Sequence, residues 1–167
     1  MYQIRPICIE DNAAIAQVIR EVSKEHGLAP ENGFAVADPI LDDLYQHYQQ
    51  KHAAYWVISD ANGKIHGGGG ISPLQADAQC LELQKMYFSQ ALRGQGLAQQ
   101  LLELAFNFAQ QQGFNEIYLE TTACLAAAVK LYEKNGFVYL EQPRGNTGHS
   151  AACEIWMLKT LALDNKD

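Results

Sequence analysis

Residues 92–102 are the part of this chain best suited to bind an anion. They read Leu-Arg-Gly-Gln-Gly-Leu-Ala-Gln-Gln-Leu-Leu, and apolar residues recur at 97, 101, 104, 105 and 108. This spacing predicts an amphipathic helix, and the β-type run at 83–88 predicts a strand before it. Unpaired N–H groups and the positive end of the helix dipole would meet at the two glycines, which let a ligand approach the backbone closely. With the charge of Arg93 beside it, the segment predicts a phosphate-binding site.

Two common phosphate-binding patterns are absent from this segment. A P-loop would need Gly-Lys followed by Ser or Thr, and a dinucleotide fingerprint would need a longer glycine spacing with a later ribose-binding acid. Neither follows residue 93. An ordinary strand-to-helix turn and a different kind of nucleotide-binding domain remain alternatives for the loop taken alone.

The rest of the chain predicts the strands and helices that would hold this loop in place. Strands are predicted at residues 2–9, 53–59, 64–71, 79–88, 115–121, 136–141 and 152–159. Helices are predicted through residues 15–22, over 39–51, from the loop to about 112, and over 125–135. Asp60-Ala61-Asn62-Gly63 is a hairpin signal between the second and third strands. The order predicts a mixed α/β fold with a largely antiparallel start and a crossover helix in the middle.

Length and composition narrow the class of protein. With 167 residues, 48% of them hydrophobic, we expect one domain over residues 1–163 and a frayed tail at 164–167. A net charge of −7 disfavours nucleic acid as a partner and weakly favours a cationic substrate. We find no secretory signal and no apolar run of the roughly 20 residues that a membrane helix needs. A cytoplasmic protein without a membrane partner is expected.

The four cysteines do not form a metal-binding pattern. Cys8, Cys80, Cys124 and Cys153 are far apart, with no C-x-x-C pair. This favours small buried hydrophobic residues in a reducing compartment, no metal cofactor, and no cysteine nucleophile.

Several motifs together resemble the GNAT superfamily of N-acetyltransferases. The loop pattern Arg93-x-x-Gly96-x-Ala98 follows the strand at 83–88, and Ala128-x-x-Leu131-Tyr132-x-x-x-Gly136-Phe137 comes some thirty residues later. The start, Ile4-Arg5-Pro6 followed by Glu10-Asp11, is similar to the family's first strand and helix. The resemblance extends from about residue 3 to 161. It implies a central mixed, mostly antiparallel twisted sheet of about seven strands, flanked by about four helices.

The resemblance also implies a reaction. Members of this family use acetyl-CoA as co-substrate, and we expect a small-molecule or peptide amine to attack its thioester directly in a ternary complex. A homodimer is possible for such domains. The alternative is a non-catalytic acyl-CoA-binding sensor or regulatory subunit with the same fold, which would not need the catalytic residues.

Three residues are candidates for proton transfer. Several branches of the family place a glutamate eleven residues before the Arg of the loop, and Glu82 has that spacing from Arg93. A carboxylate there could take the proton of an amine, either directly or through one water. Glu120, at the end of the next strand, is a second candidate base. Tyr132 is the candidate general acid toward the leaving thiolate. Each of the three could instead be an ordinary strand or core residue.

The resemblance assigns the cofactor site to the end of one strand, the loop and two later positions. These residues are Met86, Tyr87, Phe88, Arg93, Gly94, Gln95, Gly96, Leu97, Ala98, Glu120 and Lys134. Family members usually have a bulge in the strand that holds Met86, whose N–H could stabilise the oxyanion. The following strand splays away and opens a slot for the pantetheine arm. One departure is Leu125, where many members carry Asn.

Other features support two interpretations each. Strand alternation would put Glu82, Gln84, Met86 and Phe88 on one side of the strand, and Leu83, Lys85 and Tyr87 on the other, unless a bulge intervenes. Residues 67–70 are four glycines that could form a flat floor for the acetyl group or a bulged hairpin strand. Tyr45, Tyr48 and Tyr55 could line the acceptor site or only pack. His149 could contact substrate or only face solvent.

Overall fold

A single sheet of seven strands organises the chain. The computed structural model describes residues 1–162, apart from the side chain of Ala35. The predicted frayed tail at 164–167 lies outside the described residues. The strands are β1 (Gln3–Pro6), β2 (Ala54–Ser59), β3 (Ile65–Pro73), β4 (Leu81–Phe88), β5 (Glu116–Thr121), β6 (Val138–Tyr139) and β7 (Ile155–Thr160). The helices are α1 (Asn12–Glu25), α2 (Leu44–His47), α3 (Leu97–Gln111) and α4 (Ala126–Lys134), and short 3₁₀ turns lie between them.

The strand order in the sheet is β1-β2-β3-β4-β5-β7-β6. Every neighbouring pair is antiparallel except β4 and β5, which are parallel and are connected through α3. A parallel pair needs such a crossover, because the chain must return to the starting edge. The predicted mixed, mostly antiparallel α/β fold is confirmed.

The parallel pair is short and opens into a gap. Only Leu81 with Ile117 and Glu82 with Tyr118 are in register, although β4 continues to Phe88 and β5 to Thr121. The two strands therefore separate just beyond Glu82. Their separation creates a slot in the middle of the sheet, as the family resemblance implied.

A hydrophobic core covers each face of the sheet. On one face α1 and α2 bury side chains such as Ile15, Ile19 and Leu44. On the other, α3 and α4 bury side chains such as Leu101, Leu102 and Tyr132. The periodicity predicted Leu104 for the inner face of α3, but Leu104 is exposed, and Leu102 is buried instead.

The second helix is much shorter than predicted. Residues 39–51 form a 3₁₀ turn at Pro39–Asp43, then the single turn of α2, and then irregular chain. The side chain of Asp38 accepts a hydrogen bond from the Ile40 N–H and caps the start. Pro39 fixes the entry of the chain into this segment.

A bulge in β4 changes which side chains share a face. Gly68 pairs with Tyr87 and Gly70 with Gln84, so Lys85 and Met86 together oppose Gly69. Lys85 has a φ of 48°, which is unusual for a residue with a side chain. Strict alternation from Glu82 to Phe88 is therefore wrong beyond the bulge: Lys85 and Tyr87 join the face of Gln84, whereas Met86 and Phe88 pack on the opposite core.

Candidate active site

Two adjoining cavities lie in the gap between β4 and β5. The larger has a volume of about 620 Å³ and the smaller about 150 Å³. Both are lined by Met86, Tyr87, Leu125 and Tyr132, so they adjoin one another, and together they are called the slot. The larger part reaches Glu82 and Glu120, and the smaller part reaches Arg93 and Ala98 at the glycine loop.

Glu82 lies where the slot begins. Its side chain is only 7% exposed and lines the larger cavity. Burial raises its pKa from 4.5 to about 7, a hydrogen bond from Gln84 works in the opposite direction, and the charge of Glu120 raises it further. A carboxyl group with a pKa near neutrality can exchange a proton under physiological conditions.

Glu120 lies across the slot on β5, and its carboxylate has more hydrogen-bond partners than that of Glu82. Its carboxylate accepts hydrogen bonds from the hydroxyls of Tyr118 at 2.7 Å, Thr147 at 2.7 Å and Ser150 at 2.6 Å. These three donors occupy most of the positions at which a carboxylate accepts hydrogen bonds. Of the two glutamates, Glu82 has the freer carboxylate and is therefore the better candidate for a base.

Tyr132 faces the slot from α4. It is 6% exposed, lines both cavities, and packs edge-on against Phe137 with ring centroids 5.6 Å apart. Burial raises the pKa of its hydroxyl. Tyr132 is therefore a protonated donor at neutral pH, positioned between the loop end and the Glu82 end of the slot.

The glycine loop lies at the far end of the smaller cavity. Gly94 and Gly96 have φ values of 75° and 71°, and α3 begins at Leu97 with no side-chain cap. Within residues 1–162, no group accepts a hydrogen bond from the N–H groups of 94–96, and the first N–H groups of α3 have no partner inside their helix. The predicted cluster of free N–H donors is present. The Arg93 guanidinium is 2.6 Å from the carboxylate of Glu25.

The other predicted cofactor residues differ in where they lie relative to the slot. Met86, Tyr87, Phe88 and Ala98 line the slot, whereas Gly94, Gln95 and Gly96 are exposed beside it and Leu97 is buried in the core. Lys134 is exposed in the last turn of α4 and lines neither cavity. The structure thus does not bring Lys134 to the slot.

The four glycines of β3 are packing positions. A Cβ on Gly68 would lie 2.6 Å from the carbonyl oxygen of Trp56, and one on Gly69 would lie 2.5 Å from the sulfur of Met86. Neighbouring groups already fill both sides of the strand, and none of the glycines lines the slot. The interpretation as an open floor for substrate is wrong. The irregular hairpin strand is confirmed, because β3 has a register shift against β2 between Ile58 and Ser59 and another against β4 between Gly68 and Gly70.

The structure also decides between the two interpretations of the tyrosines and of His149. Tyr48 and Tyr55 are buried in the core and Tyr45 packs against it, and none of the three lines either of the two cavities of the slot. His149 is half-buried and lines the larger cavity, where burial lowers its pKa. None of the three tyrosines therefore forms a wall of the slot, whereas His149 does.

Sequence analysis missed several residues of the larger cavity. Gln84 donates a hydrogen bond to Glu82, and its position two residues along the same strand could have revealed it. The buried ammonium of Lys85 lies 2.9 Å from the carboxylate of Asp38, which is 47 positions away in the chain. No local pattern signals such a pair.

The cysteines are free thiols, but they are not all buried. Cys124 is exposed and Cys8 is half-buried, contrary to the expectation of four buried residues. Cys153 lines the larger cavity, and burial raises its pKa to about 12. A thiol with such a pKa remains protonated and is a poor nucleophile at neutral pH.

No group of three or more His, Cys, Asp or Glu side chains within residues 1–162 could hold a metal ion. None of the helices in the same range is both long and apolar enough to cross a membrane.

Comparison with known proteins gives consistent matches. The model of the Acetyltransferase (GNAT) family matches residues 19–137. The uncharacterized N-acetyltransferase YjgM of Escherichia coli K12 is 49% identical over 159 residues, which span 95% of this chain and 94% of that protein. A GNAT-family acetyltransferase from Staphylococcus aureus Mu50 has a TM-score of 0.82 at 18% identity, over 97% of this chain and 100% of that chain. The PaiA N-acetyltransferase of Thermoplasma acidophilum, solved in complex with coenzyme A, has a TM-score of 0.72 at 18% identity, over 96% and 99%.

Proposed function

This chain belongs to the GNAT acetyltransferase family, and we propose that it transfers the acetyl group of acetyl-CoA to a primary amine by direct attack in a ternary complex. Membership makes it an acyltransferase of the N-acetyltransferase type. One observation supports the detailed proposal most strongly. A single slot between β4 and β5 has free N–H donors at one end and a buried carboxyl group with a pKa of about 7 at the other.

The loop end suits the diphosphate of coenzyme A. The main-chain N–H groups of residues 94–98 would donate hydrogen bonds to its oxygens, and the positive end of α3 would favour the negative charge. Arg93 would add a charge-assisted bond, in competition with its present partner Glu25. The pantetheine arm would then extend along Tyr87 and Leu125 toward Glu82.

Glu82 would act as the general base. An alkylammonium ion has a pKa of about 10.4, so the amine must lose a proton before or during its attack on the thioester carbonyl carbon. Transfer to an ordinary glutamate is unfavourable by about 8 kcal/mol, whereas transfer to a carboxylate with a pKa near 7 is unfavourable by about 5 kcal/mol. The buried position of Glu82 therefore removes roughly 3 kcal/mol from the proton transfer.

Attack forms a C–N bond and places negative charge on the carbonyl oxygen. The N–H of Met86, next to the bulge at Lys85, is our candidate for stabilising that oxyanion. When the intermediate collapses, the C–S bond breaks and coenzyme A leaves as a thiolate. A simple thiol has a pKa of about 8.5, and burial raises the pKa of Tyr132 above the usual tyrosine value of about 10. The hydroxyl of Tyr132 would therefore stabilise the thiolate by a hydrogen bond rather than by complete proton transfer.

The charge of the larger cavity favours a cationic acceptor. Its wall contains three carboxyl groups, from Asp38, Glu82 and Glu120, and one ammonium group, from Lys85. Lys85 is paired with Asp38, so the other two carboxyl groups have no cationic partner within residues 1–162. We expect an amine with a second positive charge to have a lower KM than a monoamine of similar length.

The proposal can be tested with binding and turnover measurements on the same protein. Calorimetry with acetyl-CoA should show a single site. Release of the coenzyme A thiol should follow addition of 1,4-diaminobutane more readily than addition of butylamine. Glu82→Gln should bind acetyl-CoA normally but lose most turnover, and Glu103→Gln, on the exposed side of α3, should behave like the wild type. Binding without turnover across a broad amine panel would favour the acyl-CoA sensor, and no binding would refute both functions.

A further inference from the structure

A buried tyrosine is connected to Glu82 through one amide. Tyr48 follows α2 directly, is 3% exposed and does not line the slot. Its hydroxyl donates a hydrogen bond of 2.7 Å to Oε1 of Gln84. The Nε2 of Gln84 in turn donates a hydrogen bond to Oε1 of Glu82. The three side chains form a line from the core to the edge of the cavity.

The chemistry of these groups fixes the direction of the line. An ionised carboxylate can only accept hydrogen bonds, so the amide must turn its NH₂ toward Glu82. Its carbonyl oxygen then faces Tyr48, which must donate. Burial raises the pKa of Tyr48 well above its usual value, so the hydroxyl keeps its proton at every working pH. If the amide flipped, the hydroxyl proton of Tyr48 would lose its acceptor, which is costly for a buried group.

The glycines of β3 make this contact possible. A Cβ on Gly70 would lie 2.8 Å from the ring of Tyr48 and 2.5 Å from the ring of Tyr55. Both rings lie across this glycine and reach β4, where Tyr55 donates a 3.0 Å hydrogen bond to the carbonyl oxygen of Lys85 at the bulge. The glycine run thus gives two tyrosines access to the strand that carries Glu82.

We propose that Tyr48 is a positioning residue: acting through Gln84, it holds the amide in the orientation that stabilises the carboxylate form of Glu82. The proposal rests on the proposed role of Glu82 as the base. In the absence of the Tyr48 hydroxyl, the amide could turn its carbonyl oxygen toward a protonated Glu82 and stabilise the acid form. Tyr48 therefore favours the form of Glu82 that can accept a proton.

Several other titratable groups lie near Glu82. Glu120 on β5 and Asp38 before Pro39 raise its pKa, and Lys85 on β4 lowers it. His47 and His149 line the same cavity. None of these groups receives a hydrogen bond from Tyr48, so Tyr48→Phe isolates the contribution made through Gln84.

The test is a carbon-13 titration of the glutamate carboxyl groups without substrate. The carboxyl signal that is present in the wild-type spectrum and absent from that of Glu82→Gln is assigned to Glu82. Gln84→Met removes a hydrogen bond to the Glu82 carboxylate and should raise the pKa of Glu82 by about one unit. Tyr48→Phe only frees the amide to turn and should raise it by about half a unit. Tyr45→Phe is the matched control, because Tyr45 is on α2 itself and does not line the slot. It should leave the pKa unchanged.

Two outcomes would overturn the proposal. One is an unchanged Glu82 pKa in a folded Tyr48→Phe variant, and the other is a similar shift in Tyr45→Phe. Because the titration needs no turnover, it is independent of the enzymatic function. If Tyr48→Phe shifts the Glu82 pKa but the protein shows no activity, the proposed function is refuted and the positioning role of Tyr48 is still supported. In an active enzyme, the acid limb of kcat/KM should move upward with the Glu82 pKa in both variants.

Discussion

The burial of Glu82 favours proton transfer but lowers the stability of the folded protein when the carboxyl group is ionised. Its pKa is raised from 4.5 to about 7 mainly by burial, so the folded protein binds this proton more tightly than the unfolded chain does. Between pH 4.5 and about 7 the free energy of unfolding falls as pH rises, because Glu82 loses its proton at a lower pH in the unfolded state than in the folded state. Above pH 7 the buried carboxylate costs the folded state roughly 3 kcal/mol, since one pKa unit corresponds to about 1.4 kcal/mol.

Glu82→Gln should therefore stabilise the protein at alkaline pH. We expect a higher midpoint of thermal unfolding than the wild type at pH 8 and little difference at pH 4, where the carboxyl group is protonated in both states. Scanning calorimetry of both proteins at the two pH values measures the effect. Glu103→Gln should show no such pH dependence. An advantage of equal size at both pH values would mean that ionisation of Glu82 is not its cause.

At the scale of elements, the loop before α3 depends on its left-handed glycines. Gly96 has a φ of 71° and precedes the helix, and Gly113 has a φ of 85° just beyond its other end. Alanine at either position should cost about 1 kcal/mol of stability because of the strained backbone. Only Gly96→Ala should also weaken coenzyme A binding, by about tenfold or more if one N–H bond to the diphosphate is lost.

Calorimetry with coenzyme A and urea unfolding on both variants separate these effects. Gly113 lies about 22 Å away along α3, so its substitution reports backbone strain without touching the loop. Equal affinity in the two variants would argue against diphosphate binding by this loop.

The glycine strand β3 allows a second comparison. A Cβ on Gly68 would be 2.6 Å from a backbone carbonyl oxygen, which cannot move without disrupting β2. At Gly69 the closest atom is the sulfur of Met86, at 2.5 Å, which belongs to a flexible side chain. Gly68→Ala should therefore cost about 1–3 kcal/mol or more in urea unfolding, and Gly69→Ala less. The reverse order would show that the packing around β3 is different.

Elements with a strong local signal could be predicted from the sequence. The loop at 92–98 and the helix after it were recognisable because glycine positions and apolar spacing are properties of neighbouring residues. The prediction of a helix over 39–51 was wrong. Asp38 and Pro39 start this segment as a 3₁₀ turn, and its apolar residues are buried without forming a continuous α-helix. The alternation along β4 ends at Lys85, where the structure has the bulge that the family resemblance implied, although no residue type marks its position.

At the scale of the whole molecule, the site is formed by residues that lie far apart in the chain. Glu82 could be proposed because the family resemblance implies a glutamate at this spacing from Arg93, but the groups that change its pKa could not be predicted. Tyr48 reaches Gln84 across 36 positions, and the hydroxyls that hold Glu120 include Ser150, 30 positions away. Such contacts are set by tertiary packing, which the sequence pattern alone does not reveal.

The pH dependence of kcat/KM in the wild type and in Glu82→Gln tests the central claim most directly. Amine acetylation should be measured from pH 5.5 to 9 with one acceptor, with thiol release as the readout. We predict a wild-type rate that rises with an apparent pKa of about 7, as Glu82 loses its proton. In Glu82→Gln the rate should be at least about a hundredfold lower and this step should be absent. A variant that keeps both the rate and the step near pH 7 would contradict the assignment of Glu82 as the base.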